Sequence, residues 1–132
     1  MTQATGEVSD QELKKVIADF LDLGHVENIV AMFRREPKYY AWTGELLSDQ
    51  RFSVRLGISV LFEELQVLQP EKPALAIPSL IELLQAEEPL LRGEAVSLLG
   101  IIGTDEAFSH IRRHENDPSP QVREMVRLIL TE

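Results

Sequence analysis

Three stretches of this chain repeat one pattern without a gap. Val54-Arg55-Leu56-Gly57-Ile58-Ser59-Val60-Leu61-Phe62 is the first. Leu91-Arg92-Gly93-Glu94-Ala95-Val96-Ser97-Leu98-Leu99 and Val122-Arg123-Glu124-Met125-Val126-Arg127-Leu128-Ile129-Leu130 follow it. Each opens with an apolar residue and an arginine and continues with the same apolar spacing. Arg92 and Arg123 lie 31 positions apart, Arg55 and Arg92 lie 37 apart, and the excess falls in Gln69-Pro70-Glu71-Lys72-Pro73. The segments ahead of them align too: Leu46-Leu47 with Leu83-Leu84, and Ile77 and Leu80 with Phe108 and Ile111. A period of this length marks units that cannot bury their apolar face alone and must stack on their neighbours.

The units are helical. Ser9-Asp10-Gln11-Glu12 reads as a capping box, after which Leu13, Val16, Ile17, Phe20 and Leu21 form one stripe at helical spacing. Val26, Ile29, Val30 and Phe33 form a second, and Pro37 opens a third helix expected to run through Tyr40 to Leu47. Ser48-Asp49 signals the start of the next. Ile77 to Leu84, Leu91 to Ile102, Asp105 to about Glu115 and Pro118 to Leu130 complete about eight helices, with no convincing strand.

The repeats resemble the HEAT repeat, in the short bacterial form also seen in bilin-lyase-type proteins. The resemblance is carried by Ala76-Ile77-Pro78-Ser79-Leu80-Ile81-Glu82-Leu83-Leu84, by Leu91 through Gly103, and by the turn Asn116-Asp117-Pro118-Ser119-Pro120-Gln121-Val122-Arg123. It covers roughly residues 37–132. It departs at residues 11–35, which match no repeat well, and at Thr43 and Gly44, where apolar residues are expected. The resemblance implies an all-α fold, a right-handed α-α superhelix (solenoid) of about three HEAT-like helical-hairpin repeats behind an N-terminal capping helix pair. One domain, 1–132, is then expected: a flexible N-terminus over 1–10, the helix pair over 11–35, and repeats over 37–66, 73–103 and 104–131.

The resemblance also implies a role for the arginines. In such repeats this arginine pairs with the acidic residue of a turn and ties one repeat to the next. Arg55, Arg92 and Arg123, with Asp49 and Asp117, are therefore expected to form a structural ladder rather than an anion-binding row.

Composition narrows the function. The formal charge is −9, spread evenly over both halves of the 132 residues. A uniformly acidic surface repels phosphate, which argues against nucleic acid and anionic membranes as partners. No apolar run approaches the roughly 20 residues that span a bilayer, and Met1 to Asp10 lacks a signal-peptide pattern, so a cytoplasmic location is expected. There are no cysteines, which removes disulfides, thiolate metal sites and a cysteine nucleophile. His110 and His114 have the i, i+4 spacing of a metal pair, but only Glu115 and Asp117 are near in sequence, so no metal and no cofactor are expected. No GxSxG, P-loop, GxGxxG or HExxH occurs, and the expectation is a protein that is not an enzyme.

Partner binding is expected on the second helix of each repeat, the concave side in the resembled family. The positions pointing away from the core include Glu64, Leu90, Glu94, Ser97, Ile101, Met125 and Leu128. Leu90, Ile101, Met125 and Leu128 break an otherwise polar pattern, which suggests protein contact. Trp42, in the cluster Tyr39, Tyr40 and Trp42, is a further candidate anchor. Met125 and Leu128 lie outside the inward stripe of the last helix, so a homodimer or a partner covering that helix is expected. The reading is a non-enzymatic scaffold or adaptor for another protein. The alternative, implied by the resemblance alone, is a lyase- or chaperone-like role in attaching a tetrapyrrole (bilin).

Overall fold

The computed structural model describes residues 8–131. Residues 1–7 and Glu132 lie outside the described residues, and with them most of the expected flexible terminus. Eight α-helices make up the described chain: α1 (Asp10–Asp22), α2 (Val26–Arg35), α3 (Thr43–Leu47), α4 (Phe52–Leu68), α5 (Ile77–Leu83), α6 (Pro89–Ile102), α7 (Asp105–Arg112) and α8 (Pro120–Leu130). Two 3-10 segments, Pro37–Trp42 and Pro73–Ala76, lead into α3 and α5. No strand occurs among the described residues, and no described helix is long and apolar enough to cross a membrane.

Local chemistry explains where the helices start. The Ser9 hydroxyl accepts the Glu12 N–H at 3.1 Å while the Glu12 carboxylate accepts the Ser9 N–H at 3.2 Å, so the capping box forms. Thr104 accepts from Ala107 N–H at 3.1 Å and Ser119 from Val122 N–H at 3.4 Å, which satisfies donors that the first turns of α7 and α8 leave over. The helix expected from Pro37 to Leu47 is split at Trp42. There the Thr43 hydroxyl donates to the Tyr40 carbonyl at 2.8 Å, a local bond that competes with the regular α-helical ladder. Ser79 does the same to the Ala76 carbonyl, at 2.9 Å, where the second 3-10 segment meets α5.

The helices pair as α3 with α4, α5 with α6 and α7 with α8, and the pairs stack: α3 on α5, α4 on α6, α6 on α8. Helices α1 and α2 both lie against α4. One apolar core runs from Ile17 to Val126 through all of them. Its first layer is aromatic: Phe33 of α2 meets Tyr40 edge-on at 5.0 Å between ring centroids, and Tyr40 meets Phe62 of α4 at 5.9 Å.

Thr43 and Gly44, out of place by pattern, are both buried. Helix α3 crosses α5 at Gly44, whose N–H donates to the Ser79 hydroxyl at 2.9 Å. A Cβ at Gly44 would overlap the Ser79 carbonyl group, lying 2.9 Å from its carbon. The missing side chain permits this close approach.

Two stability predictions follow from the core. Gly44→Ala should lower the unfolding free energy by about 1–3 kcal/mol, the usual cost of forcing extra volume into a packed contact. The Tyr40 hydroxyl is buried with no hydrogen-bond partner among the described residues, and burial pushes its pKa up to about 12. Tyr40→Phe removes that desolvated group and keeps the ring, so urea denaturation should show stability unchanged or raised by up to about 1–2 kcal/mol. A loss of stability would mean that the hydroxyl has a bonding role.

Candidate functional site

Arg55, Arg92 and Arg123 are each the fourth residue of their helix, in α4, α6 and α8. Each uses one guanidinium nitrogen, Nη1, to close the turn that leads into that helix. Arg55 donates to the carbonyls of Asp49 and Gln50, both at 2.9 Å. Arg92 donates to those of Ala86 and Glu87, both at 2.9 Å, and Arg123 to those of Asp117 and Pro118, at 2.7 and 3.2 Å. The accepting carbonyls stand six and five positions before the arginine every time. Only a side chain with several donors in a fixed fork can hold two turn carbonyls and still reach across to a neighbouring hairpin.

The reach across depends on which acid is present. Arg92 forms a two-pronged pair with Asp117 of the next turn, Nε–Oδ2 at 3.0 Å and Nη2–Oδ1 at 2.9 Å. Asp117 also accepts the Ser119 N–H at 2.9 Å and contacts His114 Nδ1 at 3.0 Å. The Arg92 guanidinium holds this buried carboxyl well below the usual carboxylate range. For Arg55 the equivalent turn position is Ala86, which has no acid. Glu94, one helical turn into α6, supplies the carboxylate instead, with Arg55 Nε–Oε2 at 2.9 Å.

Asp49 departs from its expected place in the ladder. Its carboxylate is taken by Arg51, through Nε and Nη2 at 3.0 Å each and the backbone N–H at 2.9 Å. The reason is positional. No helix before α3 carries a ladder arginine, so Arg51 folds back over the turn and reaches on to Asp19 and Asp22 of α1. Hydrogen bonding to Arg51 lowers the Asp49 pKa. The helix pair α1–α2 is thereby tied to the first hairpin by a different arginine.

The ladder sets α4, α6 and α8 side by side, and their outer face carries exposed apolar side chains: Leu56 and Val60 of α4, Leu90 of α6, Leu128 of α8. Between the N-terminal halves of α6 and α8 this face opens into a groove of about 450 Å³, lined mainly by apolar atoms of Pro89, Leu90, Gly93, Val122 and Met125, with Glu94, Ser97 and Gln121 as its polar contacts. Gly93 makes the groove. A Cβ there would meet nothing within 4 Å, so the floor is open where any larger residue would fill it.

Of the residues expected to bind a partner, Leu90, Glu94, Ser97 and Met125 come together in this groove. Glu94 doubles as the Arg55 partner. Ile101 is half-buried against the core, and Leu128 is exposed further along α8. Glu64 lies apart, beside Val60 and Val67 on α4. Trp42 is remote from the groove: half-buried, it packs on Tyr39 at 5.0 Å, with the ammonium groups of Lys14 and Lys38 over its ring at 5.1 and 5.7 Å. His110 faces Glu106 at 3.8 Å and His114 faces Asp117, so the two rings have separate partners. Among the described residues no three His, Asp or Glu side chains converge as a metal-ligand group. Sequence reasoning missed Gly93 and Val122 as groove residues. A glycine inside an apolar helix was the available signal.

Comparison with known proteins gives one informative likeness. Human deoxyhypusine hydroxylase is 29% identical over 94 residues, which are 70% of this chain and 29% of that protein. The chain thus spans under a third of the length of the curated relative it matches. No family model matches, and no solved structure matches. The likeness supports a HEAT-like repeat and no narrower family. It also overturns the expectation of a protein that is not an enzyme, because the relative is by its name a hydroxylase.

The ladder generates a prediction. Arg92→Ala leaves the buried Asp117 carboxylate without its guanidinium and two turn carbonyls without a donor, and should cost about 1–3 kcal/mol in thermal or urea unfolding. The pairing lowers the folded-state pKa of Asp117, so its stabilisation is complete above the unfolded carboxyl range, near pH 4, and is lost as pH falls below it. Wild type should lose stability steeply below about pH 4, and Asp117→Asn should flatten that loss. An unchanged Tm in Arg92→Ala would refute the structural role.

Proposed function

We propose that the chain is a right-handed solenoid of about three HEAT-like hairpins, closed at its N-terminal end by α1 and α2, that serves as a scaffold and holds a partner protein on the outer face of α4, α6 and α8. The observation that carries this reading is the open apolar groove between α6 and α8, with Leu90 left 57% exposed at its lip. An apolar surface of this kind, kept accessible by a glycine rather than packed shut, is what a binding face needs and what a purely structural helix pair would lose. The formal charge of −9 favours a basic protein surface over nucleic acid.

The opposite layer offers a contrast for the test. Glu82 of α5 and Arg112 of α7 are exposed and polar. A photo-reactive phenylalanine analogue placed at Leu56 or Leu90 should give one discrete crosslinked product in extract of the source cells. The same analogue at Glu82 or Arg112 should give none. Equal labelling from both layers, or labelling from Glu82 and Arg112 alone, would contradict the placement of the binding face.

A further inference from the structure

Resting on that scaffold reading, we propose that the α6–α8 groove is a docking site for a basic peptide segment of the partner, one that inserts an aliphatic or aromatic side chain over Gly93. Three observations carry this. The first is shape. The groove holds about 450 Å³, and at Gly93 a Cβ would meet nothing within 4 Å beyond the adjoining stretch of its own helix. That is room for the end of a large apolar side chain between Leu90 and Met125.

The second is lining. The walls are mainly apolar atoms of Leu90, Val122 and Met125, and Ser97 and Gln121 add polar groups to the lining. Anchoring a peptide through one buried apolar side chain with polar contacts around it is how small recognition grooves achieve affinity and register.

The third is charge, which selects the occupant. Glu87 and Glu88 are exposed and immediately precede Pro89, the first groove residue in the chain, and neither has an ion-pair partner among the described residues. Glu94 lines the groove with its carboxylate already paired to Arg55 at 2.9 Å, so the unpaired negative charge is that of Glu87 and Glu88. No basic side chain lines the groove. A segment with lysine or arginine beside its apolar anchor therefore finds complementary charge, whereas an acidic segment, or a second copy of this chain at −9, meets repulsion.

The probe is a short fluorescein-labelled peptide carrying a Leu-Phe pair between lysines, with fluorescence anisotropy as the readout. Wild type should bind it, and binding should weaken with added salt. Replacing the Leu-Phe pair by serines, or the lysines by glutamates, should each weaken binding about tenfold or more. On the protein side, Gly93→Leu fills the floor from a position where the added Cβ meets open space, so Tm should not fall while binding drops about tenfold. Met125→Gln gives a second route to the same loss without touching the helix backbone.

Equal binding of the acidic peptide, binding indifferent to Gly93→Leu and Met125→Gln, or no binding by wild type would each overturn the groove assignment. The scaffold reading fails separately. Should crosslinking from Leu56 on α4 persist unchanged in Gly93→Leu, the outer face binds a partner and the groove is not its anchor point.

Discussion

Everything in this fold that is repeated hangs on one guanidinium held in one place. An arginine at the fourth residue of α4, α6 and α8 donates to the carbonyls six and five positions earlier. Those carbonyls belong to the turn between the two helices of a hairpin. Unpaired and partly buried, they would each cost free energy comparable to a lost hydrogen bond. Satisfying two of them from one side chain fixes the angle at which the second helix leaves the turn. The same side chain then reaches the next hairpin, through Asp117 in one case and Glu94 in the other. A charged pair largely removed from water gains most when both partners are fully hydrogen-bonded, as Asp117 is through Arg92, Ser119 and His114.

The groove is a consequence of that register. Because α6 and α8 are held side by side by the turns, the space between them depends on the residues facing across it. Gly100 lets Ile129 approach to about 3.0 Å of where a Cβ would stand, which closes the C-terminal half of the contact. Gly93 has no such neighbour, which leaves the N-terminal half open. Two glycines on one helix thus do opposite things. On α8 the pattern changes: the residues one period after Gly93, Val96 and Gly100 are Glu124, Arg127 and, at the C-cap, Thr131. Glu124 and Arg127 form an exposed ion pair, and the Thr131 hydroxyl donates to the Arg127 carbonyl at 2.8 Å. Met125 lines the groove, while Leu128 stays exposed further along α8.

Much of the architecture was legible because it is periodic. The spacing of Arg55, Arg92 and Arg123 and the apolar stripe behind each define the helices and their buried faces before any coordinate is known. What escaped was every place where one unit differs from the others. Ala86 stands where the ladder needs an acid, and nothing local announces that Glu94 replaces it from the following helix. Asp49 reads as a ladder acid, but it lies in the first hairpin, where Arg51 takes it. Gly44 and Thr43 look like defects in an apolar pattern until α5 is seen pressing against them. The candidate binding residues divided the same way: Leu90, Glu94, Ser97 and Met125 share a face because the repeat predicts it, whereas Trp42 belongs to a helix outside that register and is occupied by Lys14 and Lys38.

A double-mutant cycle on Arg92 and Asp117 measures the direct coupling between the arginine of one hairpin and the acid of the next. Urea unfolding of wild type, Arg92→Ala, Asp117→Ala and the double variant isolates the pairwise energy from each residue's other bonds. A coupling of about 1–3 kcal/mol is predicted, with the double variant less damaged than the sum of the single ones. Additive losses, with coupling near zero, would show that the two side chains stabilise their own turns independently and that no ladder links the hairpins.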